Sequence, residues 1–202
     1  KNAKSAKTKV LQLTTGQKNK ILKDIASALI DESDYIIMQN KLDLEAGAAA
    51  GMSKALLDRL TLNKERIKDM AKGVCQIADL DDPIGVVNET QRRPNGLKIG
   101  NMCVPLGVVA IIYEARPNVT SDAIALCLKT SNCVILRGGK EAINSNKAIV
   151  KIIKNAAKKA GLPEGAIGLI TDISRESANQ LMKLHDYVDL LIPRGGASLI
   201  NT

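Results

Sequence analysis

Tryptophan and phenylalanine are absent from these 202 residues, tyrosine occurs only at Tyr35, Tyr113 and Tyr187, and histidine only at His185. A binder of single-stranded nucleic acid needs aromatic platforms on which bases stack, and so few rings argue against that class. Four cysteines, Cys75, Cys103, Cys127 and Cys133, lie 28, 24 and 6 residues apart, which is neither a CxxC pair nor a zinc-ligand spacing. With a single histidine beside them, no metal site is expected. Cys127 and Cys133 sit in apolar patterns and read as small buried hydrophobes, and no neighbouring base or cation pattern marks any of the four as an activated thiolate. No apolar run reaches the roughly 18 residues that a membrane span requires, and no charged-then-apolar leader opens the chain. A cytoplasmic location with no membrane partner is expected. The GxGxxG fingerprint of dinucleotide sites is also absent.

What is present is 45% apolar content, enough for one full core with a small appendage. The net charge of +8 suggests nucleic acid until it is mapped. Lys1, Lys4, Lys7, Lys9, Lys18, Lys20 and Lys23 all precede the first acid, Asp24, and the rest of the chain carries 22 basic against 21 acidic side chains. A nucleic-acid module would bind through this lysine-rich start; without the aromatic signature, no nucleic-acid partner is expected.

Residues 1–80 are helical in pattern. Thr14 to Gln17 form a capping box ahead of Ile21, Leu22, Ile25 and Leu29. Ser53 can cap a helix bearing Leu56, Leu57 and Leu60, and Asn63 one bearing Ile67, Met70, Ala71, Val74 and Ile77. Residues 81–106 break this pattern at Asp81-Asp82-Pro83 and read as a polar hairpin turning at Pro94-Asn95-Gly96, either an oligomer contact or an edge hairpin. Residues 107–202 alternate short apolar strands at 108–113, 133–137, 167–170 and 188–192 with helices at 120–129, 145–159 and 174–184. That alternation implies an α/β fold around a parallel sheet.

Chemistry in such folds gathers at strand ends. The first loop carries Tyr113, Glu114, Arg116, Pro117 and Asn118, and the second Arg137, Gly138, Gly139, Lys140 and Glu141. Arg194-Gly195-Gly196 follows a later strand. Glycines there let backbone N–H groups approach a phosphate, with arginine and Lys140 adding charge; the plainer reading is a tight turn. Each Arg-Gly-Gly is single, unlike an RNA-binding repeat. Asn118 can donate to a developing oxyanion or serve as a helix cap or Asx turn. The Arg116 fork suits a carboxylate or a phosphate, or a surface salt bridge with Glu114. His185 ends a helical run, where a cation complements the helix C-terminus, and has no catalytic role.

The wording GVVAIIYEARPNVTSDA and VILRGGKEAINSN closely resembles the γ-glutamyl phosphate reductase family of the aldehyde dehydrogenase superfamily. The resemblance runs from about Gln17 to the end and covers about half of the family pattern. It implies a Rossmann-like sheet of the aldehyde dehydrogenase type, with the N-terminal helical segment packing on it as cover and the hairpin as an excursion. It further implies NADPH-dependent reduction of L-glutamyl 5-phosphate to glutamate 5-semialdehyde and phosphate in proline biosynthesis, through a cysteine thioester. By the same resemblance Asn118 is the oxyanion donor; in such an enzyme the Arg116 fork would bind the substrate's free α-carboxylate or its phosphate. Arg137 and Lys140, with Gly138 and Gly139, would meet the ribose 2′-phosphate of NADP(H). Gly195, Gly196 and Ser198 would lie under the pyrophosphate, although Gly196-Ala197-Ser198 departs from the usual serine-threonine wording. None of the four cysteines matches the setting of the family nucleophile, so the cysteine is expected outside this chain, which then supplies the coenzyme half and does not turn over alone. A homo-oligomer is compatible with the hairpin. The rival class is a coenzyme-binding module without thiol chemistry.

Overall fold

The structure is a computed structural model that describes residues 1–195. Among them, five helices precede the strands: α1 (Asn2–Leu11), α2 (Thr15–Asp31), α3 (Ser33–Ala49), α4 (Lys54–Leu60) and α5 (Lys64–Asp79). The capping box forms as read. The Thr14 hydroxyl accepts from the Gln17 amide at 3.3 Å, and the Gln17 side chain accepts from the Thr14 amide at 2.8 Å. Ser53 caps α4 and Asn63 caps α5 through the Leu56 and Arg66 amides. α5 buries Ile67, Met70, Ala71, Val74 and Ala78, while Ile77 packs only partly buried against the core.

Two of these helices, α1 and α3, fall within the helical stretch 1–80 but are not marked out individually by the sequence pattern. α1 buries only Ala3, Ala6 and Val10 among its lysines. α3 turns a polar stripe inward, Asn40 and Asp43 between Ile36 and Gly47. Both lack the apolar periodicity by which helices are recognised.

The hairpin pairs β1 (Val87–Arg92) with β2 (Lys98–Met102) antiparallel, and every residue of both strands is exposed. The main sheet runs β5-β4-β3-β6, all parallel, from β3 (Val108–Tyr113), β4 (Cys133–Arg137), β5 (Ile167–Leu169) and β6 (Leu190–Arg194). Its crossovers are α6 (Asn118–Lys129), α7 (Ile143–Lys159), preceded by a 3-10 turn at Lys140–Ala142, and α8 (Arg175–Met182). β3 is buried along its whole length. Alternate residues of a strand face opposite sides, so Val109, Ile111 and Tyr113 join the large core under α2, α5, α6 and α7, while Ala110 and Ile112 meet Ala178 and Leu181 of α8.

The β6 region differs from expectation. α8 stops at Met182, His185 lies in the turn beyond it, and the strand begins two residues late, after Asp189. Asp189 accepts from the Val108 amide at 2.8 Å and from Lys7 at 3.0 Å, which sets the register Val109↔Leu190. Those same two contacts, the Val108 amide first, hold its carboxyl below the usual range. Gly107 adopts φ +125°, and a Cβ there would collide with the Asp189 carboxylate and the Lys7 ammonium, so only glycine fits this junction. Pro193 lies within β6, which an edge strand tolerates because one row of its amides has no ladder partner.

The amino-terminal lysines are largely engaged internally. Lys4 donates to the Asp186 carbonyl, Lys7 pairs with Asp189, Lys20 with Asp24 and Lys23 with Asp79. Lys18 is buried against Asp82 at 2.6 Å and the Ser131 hydroxyl at 2.9 Å, which ties the Asp81-Asp82-Pro83 breaker to α2. No helix among the described residues is long and apolar enough to cross a membrane.

Candidate active site at the strand ends

The sheet register brings Ile112 beside Arg137 and Tyr113 beside Arg194, so the carboxyl ends of β3, β4 and β6 share one edge. The strand order reverses between β3 and β6, since β4 and β5 extend on the other side of β3. Open α/β sheets bind ligands outside the carboxyl ends at such a reversal.

After β3 the chain turns sharply, the Arg116 amide donating to the Glu114 carbonyl at 2.6 Å, and enters α6 with Asn118 as its first residue. The Asn118 amide does not cap the helix. It is exposed and reaches Asp122, one turn on, at 3.5 Å. Burial pushes the Asp122 carboxyl above its ordinary value, with Arg194 and Asn118 acting the other way.

Two cavities meet at this turn. A cavity of about 510 Å³ opens between α4, α5 and α6, lined by Arg59, Arg66, Asp69, Arg116, Asn118 and Asp122 among others. A second, of about 300 Å³, lies over the β3–β6 reversal against Tyr113, Glu114, Arg194 and Gly195. Arg59 and Arg116 line both.

The β4 loop is packed from below. A Cβ at Gly138 would strike the Asn146 amide, and one at Gly139 would strike the Glu141 carboxylate. Glu141 crosses to the β3 loop, where it accepts from the Ala115 amide at 2.6 Å, so the two strand-end loops are strapped together. Beneath them Tyr113 shares a hydrogen bond with Thr120 at 2.7 Å, and Thr120 donates to Asn146 at 2.8 Å. Burial pushes the Tyr113 hydroxyl up to about 12, so it stays neutral. Arg137 directs Nη2 to the Ile173 and Ser174 carbonyls at 3.0 Å each, and its buried Nε has no partner among the described residues. Lys140, exposed, opens the 3-10 turn beside it.

Arg116 and Asn118 therefore share one cavity, Gly195 joins Arg116 at the other, and Arg137, Gly138, Gly139 and Lys140 form the adjoining lip. Gly196 and Ser198 lie outside the described residues. Arg59, Asp69 and Asp122 escaped the sequence reading. Asp122 stands at i+4 from Asn118, a legible spacing, but Arg59 and Asp69 come from elements some 50 residues away in the chain. Burial pushes the Cys127 thiol up to about 12 and the Cys133 thiol to about 11, so both are inert. No group of three or more metal-ligating side chains occurs among the described residues.

The chain is similar to the γ-glutamyl phosphate reductases of Heliobacterium modesticaldum (60% identical, over 99% of this chain and 48% of that protein) and Clostridium novyi (58%, over 98% and 48%). It thus spans about half the length of the curated relatives it matches. The crystal structure of γ-glutamyl phosphate reductase from Thermotoga maritima superposes with a TM-score of 0.96 at 40% identity, over 99% of this chain and 48% of that one. The corresponding structure from Saccharomyces cerevisiae gives 0.90 at 32%, over 98% and 51%. The fold is thus shared with these enzymes, and residues 1–199 match the aldehyde dehydrogenase family, to which this chain belongs.

Proposed function

We propose that the chain is the coenzyme-binding part of an NADPH-dependent γ-glutamyl phosphate reductase, acting on L-glutamyl 5-phosphate to release glutamate 5-semialdehyde and phosphate in proline synthesis. The observation that carries this reading is the convergence of Asn118, Arg116 and the Arg137–Lys140 loop on one edge of the sheet, in a chain 60% identical to a γ-glutamyl phosphate reductase.

The residues present fit a dinucleotide. Arg137 keeps a buried Nε without a partner among the described residues, Lys140 stands exposed in the 3-10 turn that follows β4, and a cavity lies at the strand-order reversal. Arg137 and Lys140 would hold the 2′-phosphate, favouring NADP over NAD, and Gly195 would border the pyrophosphate, as Gly196 and Ser198 would beyond it. NADPH supplies the hydride.

The chain's own groups handle charge. Asn118 has one amide hydrogen directed at Asp122 and a second available for the oxyanion that develops as the acyl carbon is attacked; one such donor is worth about 2.7–4 kcal/mol in the transition state. Arg116 meets the departing phosphate. Glu141 holds the two loops in register through the Ala115 amide. The thiol that accepts the acyl group would lie outside this chain: Cys127 and Cys133 are buried and protonated, and neither Cys75 nor Cys103 lines either cavity. The exposed hairpin suits a homo-oligomer contact, and the setting is cytoplasmic with no nucleic-acid partner.

Titration of the 202-residue chain with NADPH, followed by nicotinamide fluorescence, tests this reading. Saturable binding without acyl-phosphate reduction is expected. Absence of binding refutes the coenzyme role, and turnover by the chain alone refutes the external thiol.

A further inference from the structure

The α4–α5–α6 cavity carries a charge pattern that the oxyanion and coenzyme roles leave unused. Its lining includes three arginines and three aspartates. Arg66 is neutralised by Asp58 at 2.8 Å and holds the Asp58 and Thr61 carbonyls, so that pair closes the cavity rather than serving a ligand. Asp122 is engaged by Asn118. The Arg59 and Arg116 guanidinium groups and the Asp69 carboxylate remain, without an ion-pair partner among the described residues.

Two cations and one anion around a cavity of about 510 Å³ complement a ligand with two anionic groups and one cationic group. Resting on the function proposed above, we infer that this cavity is the recognition site for an α-amino-acid head group, with Arg59 binding the α-carboxylate and Asp69 the α-ammonium. Arg116, two residues before Asn118 on the β3–α6 turn, then faces the phosphate at the reacting end. The division follows the topology. The reacting end lies at the β3–α6 turn with the oxyanion donor, and the head points towards α4 and α5, which supply Arg59 and Asp69. A bidentate arginine discriminates a carboxylate by shape as well as charge, and a site built for an ammonium rejects the analogue lacking it because its carboxylate is left unpaired.

The test is calorimetric binding of three probes to the chain: L-glutamate, glutarate, which lacks the ammonium, and 4-aminobutyrate, which lacks the α-carboxylate. Glutamate is expected to bind at least about tenfold more tightly than either, a difference of about 1.4 kcal/mol. Asp69→Asn should erase the preference over glutarate, and Arg59→Gln the preference over 4-aminobutyrate. Equal binding of the three probes to the unmutated chain, or none, overturns the head-group site, whether or not either variant folds. NADPH binding measured on the same sample keeps the two ideas apart. A chain that binds NADPH but shows no glutamate preference loses only this inference, and one that prefers glutamate but ignores NADPH loses only the coenzyme role.

Discussion

Asp43 offers the sharpest test of how the β4 lip is held. α7 begins without a side-chain cap of its own, and the two amides that a cap would satisfy, those of Asn144 and Ser145, are met instead by Asp43 of α3. One carboxylate oxygen accepts from the Asn144 amide at 3.1 Å and its side chain at 2.9 Å, the other from the Ser145 amide at 2.8 Å and its hydroxyl at 2.6 Å. Asp43 is 3% exposed and Ser145 0%. In Asp43→Asn one oxygen becomes a donor. The amide will turn its NH2 towards the half-buried Asn144 groups, where water can help, and keep its oxygen for Ser145. A buried donor left unpaired costs roughly 1–3 kcal/mol, and partial rescue by water puts the variant near about 2 kcal/mol. Asp43→Ala strands the Ser145 donors as well, for about 4 kcal/mol on the same scale. At roughly 2–4 °C per kcal/mol for a chain of this size, Tm should fall by about 4–8 °C and about 8–16 °C respectively. Denaturant unfolding and calorimetry read both. An alanine variant within about 1 kcal/mol of the parent would refute the idea that α3 caps α7.

Removing Asp82 isolates the buried Lys18 ammonium, so Asp82→Asn should cost about 3–5 kcal/mol at neutral pH. Burial acts to raise the Asp82 carboxyl, but bonds from Lys18, Thr15 and the Ile84 amide outweigh it and leave the group below 3.8. Its contribution is therefore complete above that unfolded-state value and is lost as pH falls through the lower folded one, so unfolding curves of parent and variant should converge in acid. A penalty that persisted in strong acid would contradict this. Thiol titration with a disulfide reagent at mild alkaline pH should label only Cys75 and Cys103, with Cys127 and Cys133 reacting after denaturation; rapid labelling of all four in the native protein would undo the burial argument. Replacing Arg137 and Lys140 together by alanine should bring NADPH and NADH affinities to within about threefold of each other, and equal affinities in the unmutated chain would remove their assigned role.

Where apolar side chains carried the information, the chain could be read directly. The strands at 108–113 and 133–137 are found at those positions because a strand buried on both faces is a continuous apolar run, and Thr14, Ser53 and Asn63 cap as their positions suggested. α3 was illegible for the opposite reason: its inward stripe of Asn40 and Asp43 tolerates burial through hydrogen bonds to Leu60, Leu62, Asn144 and Ser145, partners that only the fold brings near. The strand-end loops were visible as Gly, Arg and Asn clusters. Their mutual strap through Glu141 and Ala115, and the joining of Arg59 and Asp69 to Asn118 in one cavity, depend on tertiary distance and leave no local pattern.

The clasp between Lys7 and Asp189 spans 182 positions of the chain. At a synthesis rate of about 5–20 residues per second, Asp189 emerges from the ribosome roughly 10–35 s after Lys7. Throughout that interval α1 lacks the carboxylate that holds its lysine, and until β4 has been made it also lacks the β4 and β3 surfaces on which Ala3, Ala6 and Val10 come to rest. Its few small apolar side chains offer little surface to aggregate, and its positive charge keeps it solvated, so a helix too polar to fold early is also one that can wait without collapsing onto the wrong partner.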